Sequence, residues 1–142
     1  MNLNLIFIQF LISGLLTGLI WIVQIVHYPS FRYIDSIRFK DFHKFHSFRI
    51  SLIVVPLMLS ELGLGIIWIF EERNFFSYTN FAFLIIIWIG TFLLSVPIHS
   101  QLSFTFDLDL IDRLVNTNWL RTIAWSLKLS LLGFFILENF VQ

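Results

Sequence analysis

Residues 50–70 read ISLIVVPLMLSELGLGIIWIF, and this stretch decides the fold. Thirteen of its residues are Leu, Ile, Val or Phe, and Glu61 is its single charged residue. Each such apolar residue favours insertion into a bilayer by about 0.3 to 0.6 kcal/mol, whereas one central charge opposes it by about 2.5 to 3.5 kcal/mol. The apolar sum is larger, and roughly 20 helical residues cross about 30 Å of hydrocarbon. The stretch therefore predicts a transmembrane helix.

Three other apolar runs have the length of a membrane span, and they cover about residues 3–26, 81–98 and 119–137. Of the 142 residues, 58% are hydrophobic and 13% are charged, whereas soluble domains have about 45–50% apolar and about 25% charged residues. No linker or internal repeat divides the chain. We therefore expect an all-α membrane protein, a single integral membrane domain over residues 1–142 built as a four-transmembrane-helix bundle.

Composition also excludes several classes of function. The chain carries nine basic and nine acidic residues, so it has no net field that attracts nucleic acid. It has no cysteine, which excludes disulfides, iron–sulfur clusters and a thiol nucleophile. The sequence has neither a G-x-S-x-G nucleophile motif nor a glycine-rich phosphate loop. Hydrolase chemistry and nucleotide binding are therefore not expected.

The distribution of basic residues predicts the orientation of the chain in the membrane. One side carries Arg32, Arg38, Lys40, Lys44, Arg49, Arg113 and Arg121. The other side carries only Arg73, in a short turn. Because short loops rich in Lys and Arg stay in the cytoplasm, we expect the two longer loops inside and both termini on the non-cytoplasmic side. We expect the location to be a bacterial inner membrane.

The loop after the first span is predicted to form an interfacial amphipathic helix between spans one and two. Phenylalanine recurs there every three residues, as Phe39, Phe42, Phe45 and Phe48, with histidines and basic residues between them. Rings mixed with cations are typical of a helix that lies at the membrane surface. The simplest interpretation is a surface helix with no chemistry of its own.

Two ionisable residues lie deep in the predicted spans, where charges are costly and often functional. Glu61 and Lys128 have similar predicted depth, so we expect an ion pair across the bundle. Arg121 and Trp125 precede Lys128 by seven and three residues, which places them on the same helical stripe. The pair either locks two helices together, or Glu61, Lys128 and Arg121 act as catalytic or transport residues in which Glu61 titrates or contacts a substrate.

The first span has a polar stripe and a pair of small residues. Gln9, Ser13, Thr17, Gln24 and His27 recur at the spacing of one helical face. Gly14 and Gly18 next to them form a small-xxx-small pair, which lets two helices approach closely. The stripe predicts a tightly packed helix–helix seam with amide and hydroxyl hydrogen bonds. The alternative is a homo-oligomer that packs through Gly14 and Gly18.

The four histidines all fall near the predicted cytoplasmic interface, as His27, His43, His46 and His99. Imidazole is the commonest nitrogen ligand for metals, and helical bundles build such sites from facing helices. We therefore consider a metal or haem site, with these four as metal ligands and with His27, His99 and Trp125 as cofactor-binding residues. The alternative is that the histidines bond to water, lipid phosphate or backbone.

Two family resemblances bear on the activity. The four spans, Val96-Pro97 at the end of span three, and Trp119, Arg121 and Trp125 in span four resemble the four-helix membrane proteins grouped with fungal anthrone oxygenases. This resemblance implies an oxidative enzyme acting on lipophilic aromatic substrates. The length of the chain and the Trp125 and Lys128 of span four also resemble a small four-helix protoporphyrinogen oxidase family of bacteria. That family has a ligand histidine near the start of span one. This chain has no histidine there, and Gln9 is the nearest polar residue.

Three functional hypotheses follow. The first is a membrane oxidoreductase with a histidine-lined cytoplasmic-side site for metal or haem and a lipophilic small-molecule substrate. The second is a transport or proton-coupled binding protein that uses the Glu61–Lys128 pair. The third is a structural membrane subunit without catalysis.

Overall fold

The computed structural model describes residues 3–140, and the regular structure in that range is helical. In chain order its elements are α1 (Leu3–Ile22), a π-helical turn (Val23–His27), α2 (Tyr28–Ser30), a 3₁₀ turn (Phe31–Tyr33), α3 (Ser36–Glu71), α4 (Phe75–Ile89), a second π-helical turn (Gly90–Ser95), α5 (Val96–Leu102) and α6 (Leu108–Phe140). They join into four long helical segments. Segment I contains α1 and α2, segment II is α3, segment III contains α4 and α5, and segment IV is α6.

Each segment contains a helix long and apolar enough to cross a membrane. These helices cover Asn4–Tyr33, Ser36–Glu71, Phe75–Leu102 and Leu108–Asn139, which confirms the prediction of an all-α chain with four helices of spanning length. At about 1.5 Å per residue, the 36 residues of α3 reach about 54 Å, well beyond about 30 Å of hydrocarbon. Most of the extra length lies at the end of the bundle that carries the four histidines, which we call the histidine end.

Local hydrogen bonds set the starts of two segments. The Asp35 carboxylate accepts a hydrogen bond from the Ile37 backbone N–H at 2.8 Å and caps the start of α3. At the opposite end of the bundle, Asn74 and Ser77 form a reciprocal capping box that starts α4. Both caps satisfy backbone N–H groups that have no partner within the helix.

The residues predicted to form an interfacial helix make up the first part of α3, which continues without a break to Glu71. Its phenylalanines do not share one environment, because Phe39 is fully buried whereas Phe45 and Phe48 are each 61% exposed. His43 and His46 lie on the buried side with Phe39. This part of α3 therefore packs against the bundle with one face and leaves its aromatic and basic face open.

The core has two apolar clusters with a polar layer between them. The cluster toward the histidine end includes Leu16, Met58 and Ala124. The other cluster includes Ile6, Trp68, Leu132 and Phe135. Between the two clusters, segments I, II and IV each contribute one buried polar residue to the centre of the bundle. These residues are Ser13, Glu61 and Lys128.

The outer surface of the bundle is unusually apolar. Leu11, Leu15 and Leu93 lie in the middle of their segments and are 62%, 63% and 69% exposed. In the most apolar window of α3, only 17% of the residues are buried. Water-soluble proteins rarely expose a contiguous apolar surface of this kind, and the surface is typical of helices that face lipid.

Candidate functional site

The central polar layer is a closed hydrogen-bonded network around Glu61. Its Oε1 accepts from the Lys128 ammonium at 2.8 Å and from the Ser13 hydroxyl at 2.6 Å. Its Oε2 accepts from the Trp125 indole N–H at 3.1 Å. The Lys128 Nζ also donates to the Ser13 Oγ at 2.7 Å, and all four side chains are at most 1% exposed.

The predicted contact between Glu61 and Lys128 is therefore confirmed, and the sequence had not identified Ser13 as its third member. Ser13 was visible only as one of several polar residues on the face of span one. Both carboxylate oxygens have partners, and neither Glu61 nor Lys128 lines the internal cavity described below. This closed arrangement is what a helix-locking ion pair requires, because buried charges need full hydrogen bonding.

Arg121 does not join that network. Its Nη1 donates to the Ser95 hydroxyl and to the Asn118 side-chain oxygen, each at 3.1 Å. The guanidinium carbon lies 5.3 Å from the centre of the Trp125 ring, within the range of a cation–π contact. Arg121 is only 6% exposed, which agrees with its predicted place on the helical stripe of Trp125 and Lys128, so it does not contribute to the exposed basic surface at the histidine end. The basic side then carries six of the seven residues counted from the sequence.

The four histidines assemble into two hydrogen-bonded pairs. His27 Nε2 lies 2.6 Å from His46 Nδ1, and His43 Nε2 lies 2.9 Å from His99 Nδ1. The fully buried ring of Phe31 makes edge contacts with His27, His43 and His46. The four imidazoles, which were predicted to lie near one interface, thus form two separate hydrogen-bonded pairs beside one phenylalanine.

The second pair belongs to a longer hydrogen-bonded chain, which we call the proton chain. Its members are Tyr28, His99, His43 and Ser103. The Tyr28 hydroxyl lies 2.9 Å from His99 Nε2, and the Ser103 hydroxyl lies 3.3 Å from His43 Nδ1. Tyr28 and Ser103 were not identified from the sequence, because neither follows a periodic pattern or belongs to a recognisable motif.

The hydrogen bonds give the proton chain a direction when both rings are neutral. The Ser103 hydroxyl donates to the His99 backbone carbonyl at 2.9 Å, so it accepts from His43 Nδ1–H. A neutral His43 then accepts at Nε2 from His99 Nδ1–H, and His99 accepts at Nε2 from the Tyr28 hydroxyl, because a neutral imidazole has one donor and one acceptor. Every donor points from Tyr28 toward Ser103.

The proposed metal or haem site does not fit this geometry. Zinc–nitrogen bonds of about 2.0–2.1 Å place two tetrahedral ligands more than about 3 Å apart, whereas the facing nitrogens are 2.6 and 2.9 Å apart. Among the residues whose side chains are described, no group of three or more His, Cys, Asp or Glu is arranged to hold a metal ion. Of the proposed cofactor residues, His99 and Trp125 share a cavity that His27 does not line.

An internal cavity of about 260 Å³ lies beside the proton chain. It opens to the outside between segments II and III, where its lining residues Val55 and Val96 are 49% and 48% exposed. Its wall is mostly apolar, with Met58 and Val54 from segment II among the lining residues. Its polar wall contains Tyr28, His99 and Arg121 from three different segments. This volume is just below the roughly 300–1,000 Å³ found for ligand pockets, so it suits a small molecule.

A second, open groove of about 980 Å³ runs along the outside between segments I and II. Gly14 and Gly18 lie on its floor, with His27, His46 and Arg49 toward its polar end. A methyl group placed on Gly18 would meet no atom within 4 Å. This chain therefore does not fill the groove around Gly18. The predicted seam with amide and hydroxyl bonds is confirmed on the polar stripe instead, where Ser13 donates to Glu61 and Gln24 accepts from Asn118.

Comparisons with protein-family models, curated proteins and solved structures give no match to this chain. The cavity, the proton chain on its wall and the buried Arg121 are the features with which a ligand would interact.

Proposed function

We propose that the four segments cross a lipid bilayer with the histidine end in the cytoplasm, as in a bacterial inner membrane. The apolar outer surface supports the bilayer. Six exposed basic residues at the histidine end, against Arg73 at the other, support the orientation. The first turns of α3 then lie at the membrane surface, where the exposed Phe45, Phe48 and Arg49 suit the headgroup region.

Within this frame we propose that the protein binds a lipophilic small molecule in the internal cavity and accepts a proton from it. The observation that carries this proposal is the unidirectional proton chain that begins at Tyr28 on the cavity wall and ends at Ser103. A hydroxyl group of the ligand that donates to the Tyr28 oxygen would extend the chain by one member. The Tyr28 proton would then pass to His99, and the His99 proton would pass to His43.

The residues have the properties that this role requires. Histidine passes a proton by receiving it on one ring nitrogen and releasing another from the opposite nitrogen. Ser103 is partly exposed at the histidine end, so the chain leads from the cavity wall toward water. Proton removal from a hydroxylated lipophilic molecule is a step common to acid–base and oxidative enzymes, which keeps this proposal compatible with an oxidoreductase. No step is assigned to a metal or haem, because the histidine geometry does not fit one.

A photoacid tests the proposal directly. 2-Naphthol is lipophilic, gives up its proton when excited, and emits at a different wavelength once deprotonated. In phosphatidylcholine nanodiscs that contain the protein, we expect naphtholate emission above the level of empty nanodiscs. His99→Phe removes the middle of the chain and should abolish this emission while naphthol still binds. Tyr28→Phe, which removes one hydroxyl, should weaken it.

The matched control is His27→Phe, because it removes a histidine of the pair that does not belong to the proton chain. Thermal unfolding of each variant establishes that it is folded. If 2-naphthol fails to bind, or if its emission in wild-type protein equals that of empty nanodiscs, the proposal is wrong. Naphtholate emission that persists in both His99→Phe and Tyr28→Phe contradicts it equally.

The Glu61–Lys128 network favours the helix-locking interpretation over transport. Both Glu61 oxygens have protein partners, so a substrate would first have to break these buried bonds. For the structural hypothesis, we propose the open groove around Gly14 and Gly18 as the contact of a homo-oligomer. Gly18→Leu should then reduce the oligomer fraction in native detergent, and an unchanged oligomer would exclude this face.

A further inference from the structure

We propose that the ligand of the internal cavity carries an anionic head, a carboxylate or a phenolate, which binds the Arg121 guanidinium. This inference rests on the proposed function, because it names the chemical class of molecule that the same cavity takes. Its basis is a buried cation that this chain does not neutralise.

The surroundings of Arg121 contain no counter-charge. Among the residues whose side chains are described, the ion pairs are Lys128–Glu61 in the core and Arg32–Asp112 on the surface. The Arg121 side chain lines the cavity and is only 6% exposed. Its hydrogen-bond partners Ser95 and Asn118 are neutral. The bundle thus pairs Lys128 with a carboxylate and leaves its other deeply buried cation without one.

The guanidinium also has unused hydrogen-bonding capacity. Its Nε is buried and donates to no partner in the structure. An unpartnered buried N–H is costly, and more so when it belongs to a charged group. The Trp125 ring 5.3 Å away offsets part of the charge but accepts no conventional hydrogen bond. A carboxylate or phenolate oxygen would satisfy both requirements at once, because arginine presents several planar donors that suit oxyanions.

Two fixed contacts hold the guanidinium in place for such a ligand. The Nη1 bonds to Ser95 and Asn118 come from segments III and IV, so the position of the cation is set before a ligand binds. The Tyr28 hydroxyl, which starts the proton chain, belongs to a residue that lines the same cavity as the guanidinium. A hydroxyl ligand that loses its proton at Tyr28 would therefore leave its negative charge beside Arg121.

The rest of the cavity limits the body of the ligand. Leu16, Ile20, Val54 and Met58 give it an apolar wall, and the volume of about 260 Å³ suits one or two fused rings or a short branched chain. The preferred ligand is thus a small lipophilic acid or phenol with its charged atom at Arg121 and its apolar body toward segments I and II.

Two probes of equal size separate charge from shape. 2-Naphthoate and 2-naphthamide share their ring system and differ in the charge of the head group. Calorimetric titration into phosphatidylcholine nanodiscs, corrected with empty nanodiscs, should show naphthoate binding about tenfold to a hundredfold more tightly, the usual effect of a hydrogen bond to a charged group. Arg121→Gln should remove this preference while naphthamide binding stays within about threefold.

The control is Arg113→Gln, which removes an exposed arginine from the same helix and should preserve the preference. Arg121→Lys retains the charge and should retain part of it, which keeps the test valid if Arg121→Gln does not fold. Equal binding of both probes to wild-type protein would overturn the anionic-head inference while leaving the lipophilic cavity intact. Binding of neither probe would remove the proposed function together with this inference. If Arg121→Gln still prefers naphthoate, a group other than Arg121 recognises the charge, and the anionic-head inference is overturned as well.

Discussion

Replacing Lys128 by methionine should destabilise the bundle strongly, although the two side chains are similar in length. The Lys128 ammonium is fully buried and donates to Glu61 and Ser13 at 2.8 and 2.7 Å. Its loss leaves the Glu61 carboxylate buried without a cation. Breaking a buried pair in this way costs about 3–5 kcal/mol, so Lys128→Met should lower the free energy of unfolding by that amount.

A second substitution makes the prediction specific to charge. Glu61→Gln in the Lys128→Met background replaces the unpaired carboxylate with a neutral amide, whose oxygen can still accept from Ser13. The double variant should therefore be more stable than Lys128→Met alone, by about 1 kcal/mol or more. Lys44→Met, which changes an exposed lysine, is the control and should stay within about 0.5 kcal/mol of wild type.

Unfolding by denaturing detergent, followed by circular dichroism in mixed micelles, measures all of these variants. The reasoning is refuted if Lys128→Met unfolds within about 1 kcal/mol of wild type. It is also refuted if the Glu61→Gln and Lys128→Met losses simply add, because independent sites add and a paired charge does not.

Two further predictions concern helix packing and capping. A methyl group on Gly65 would overlap the Leu84 Cδ1, and Leu84 is fully buried. Gly65→Ala should therefore cost about 1–3 kcal/mol of unfolding free energy through overpacking. Gly63→Ala is the control, because a methyl group there would meet no atom within 4 Å, and it should be neutral or stabilising. Equal effects of the two substitutions in the same unfolding assay would contradict this prediction. Asn74→Ala removes the cap of α4 and should cost about 1 kcal/mol, and an unchanged unfolding midpoint would show that the cap contributes nothing.

The fold was largely predictable because four long apolar runs have few alternatives to four spanning helices. The run at residues 50–70 predicted one such helix, and α3 contains it. The Glu61–Lys128 contact was predictable for a related reason, since two ionisable groups at one depth in an apolar bundle favour pairing. Both predictions depend on how deep a residue lies in the bundle, and this depth follows from the position of the residue within its apolar run.

The candidate site was less predictable because it depends on rotation of each helix about its axis. The helical stripe of Trp125 and Lys128 predicted which way Arg121 faces, but it could not predict the partner Ser95 on segment III. The histidines shared a depth, yet their side-chain directions give two pairs rather than one cluster. Tyr28 and Ser103 gave no pattern at all, and only the packing of segments I, II and III brings them to His99 and His43.

Cysteine accessibility tests the central claim that the chain crosses a membrane four times with its histidine end inside. The sequence contains no cysteine, so single cysteines can be placed at the exposed positions Lys40, Arg73 and Leu59 without a background. In intact cells a membrane-impermeant maleimide should label Arg73→Cys only. Lys40→Cys should react after permeabilisation, and Leu59→Cys should stay protected by lipid. Labelling of Lys40→Cys in intact cells, or free labelling of Leu59→Cys, would contradict the account.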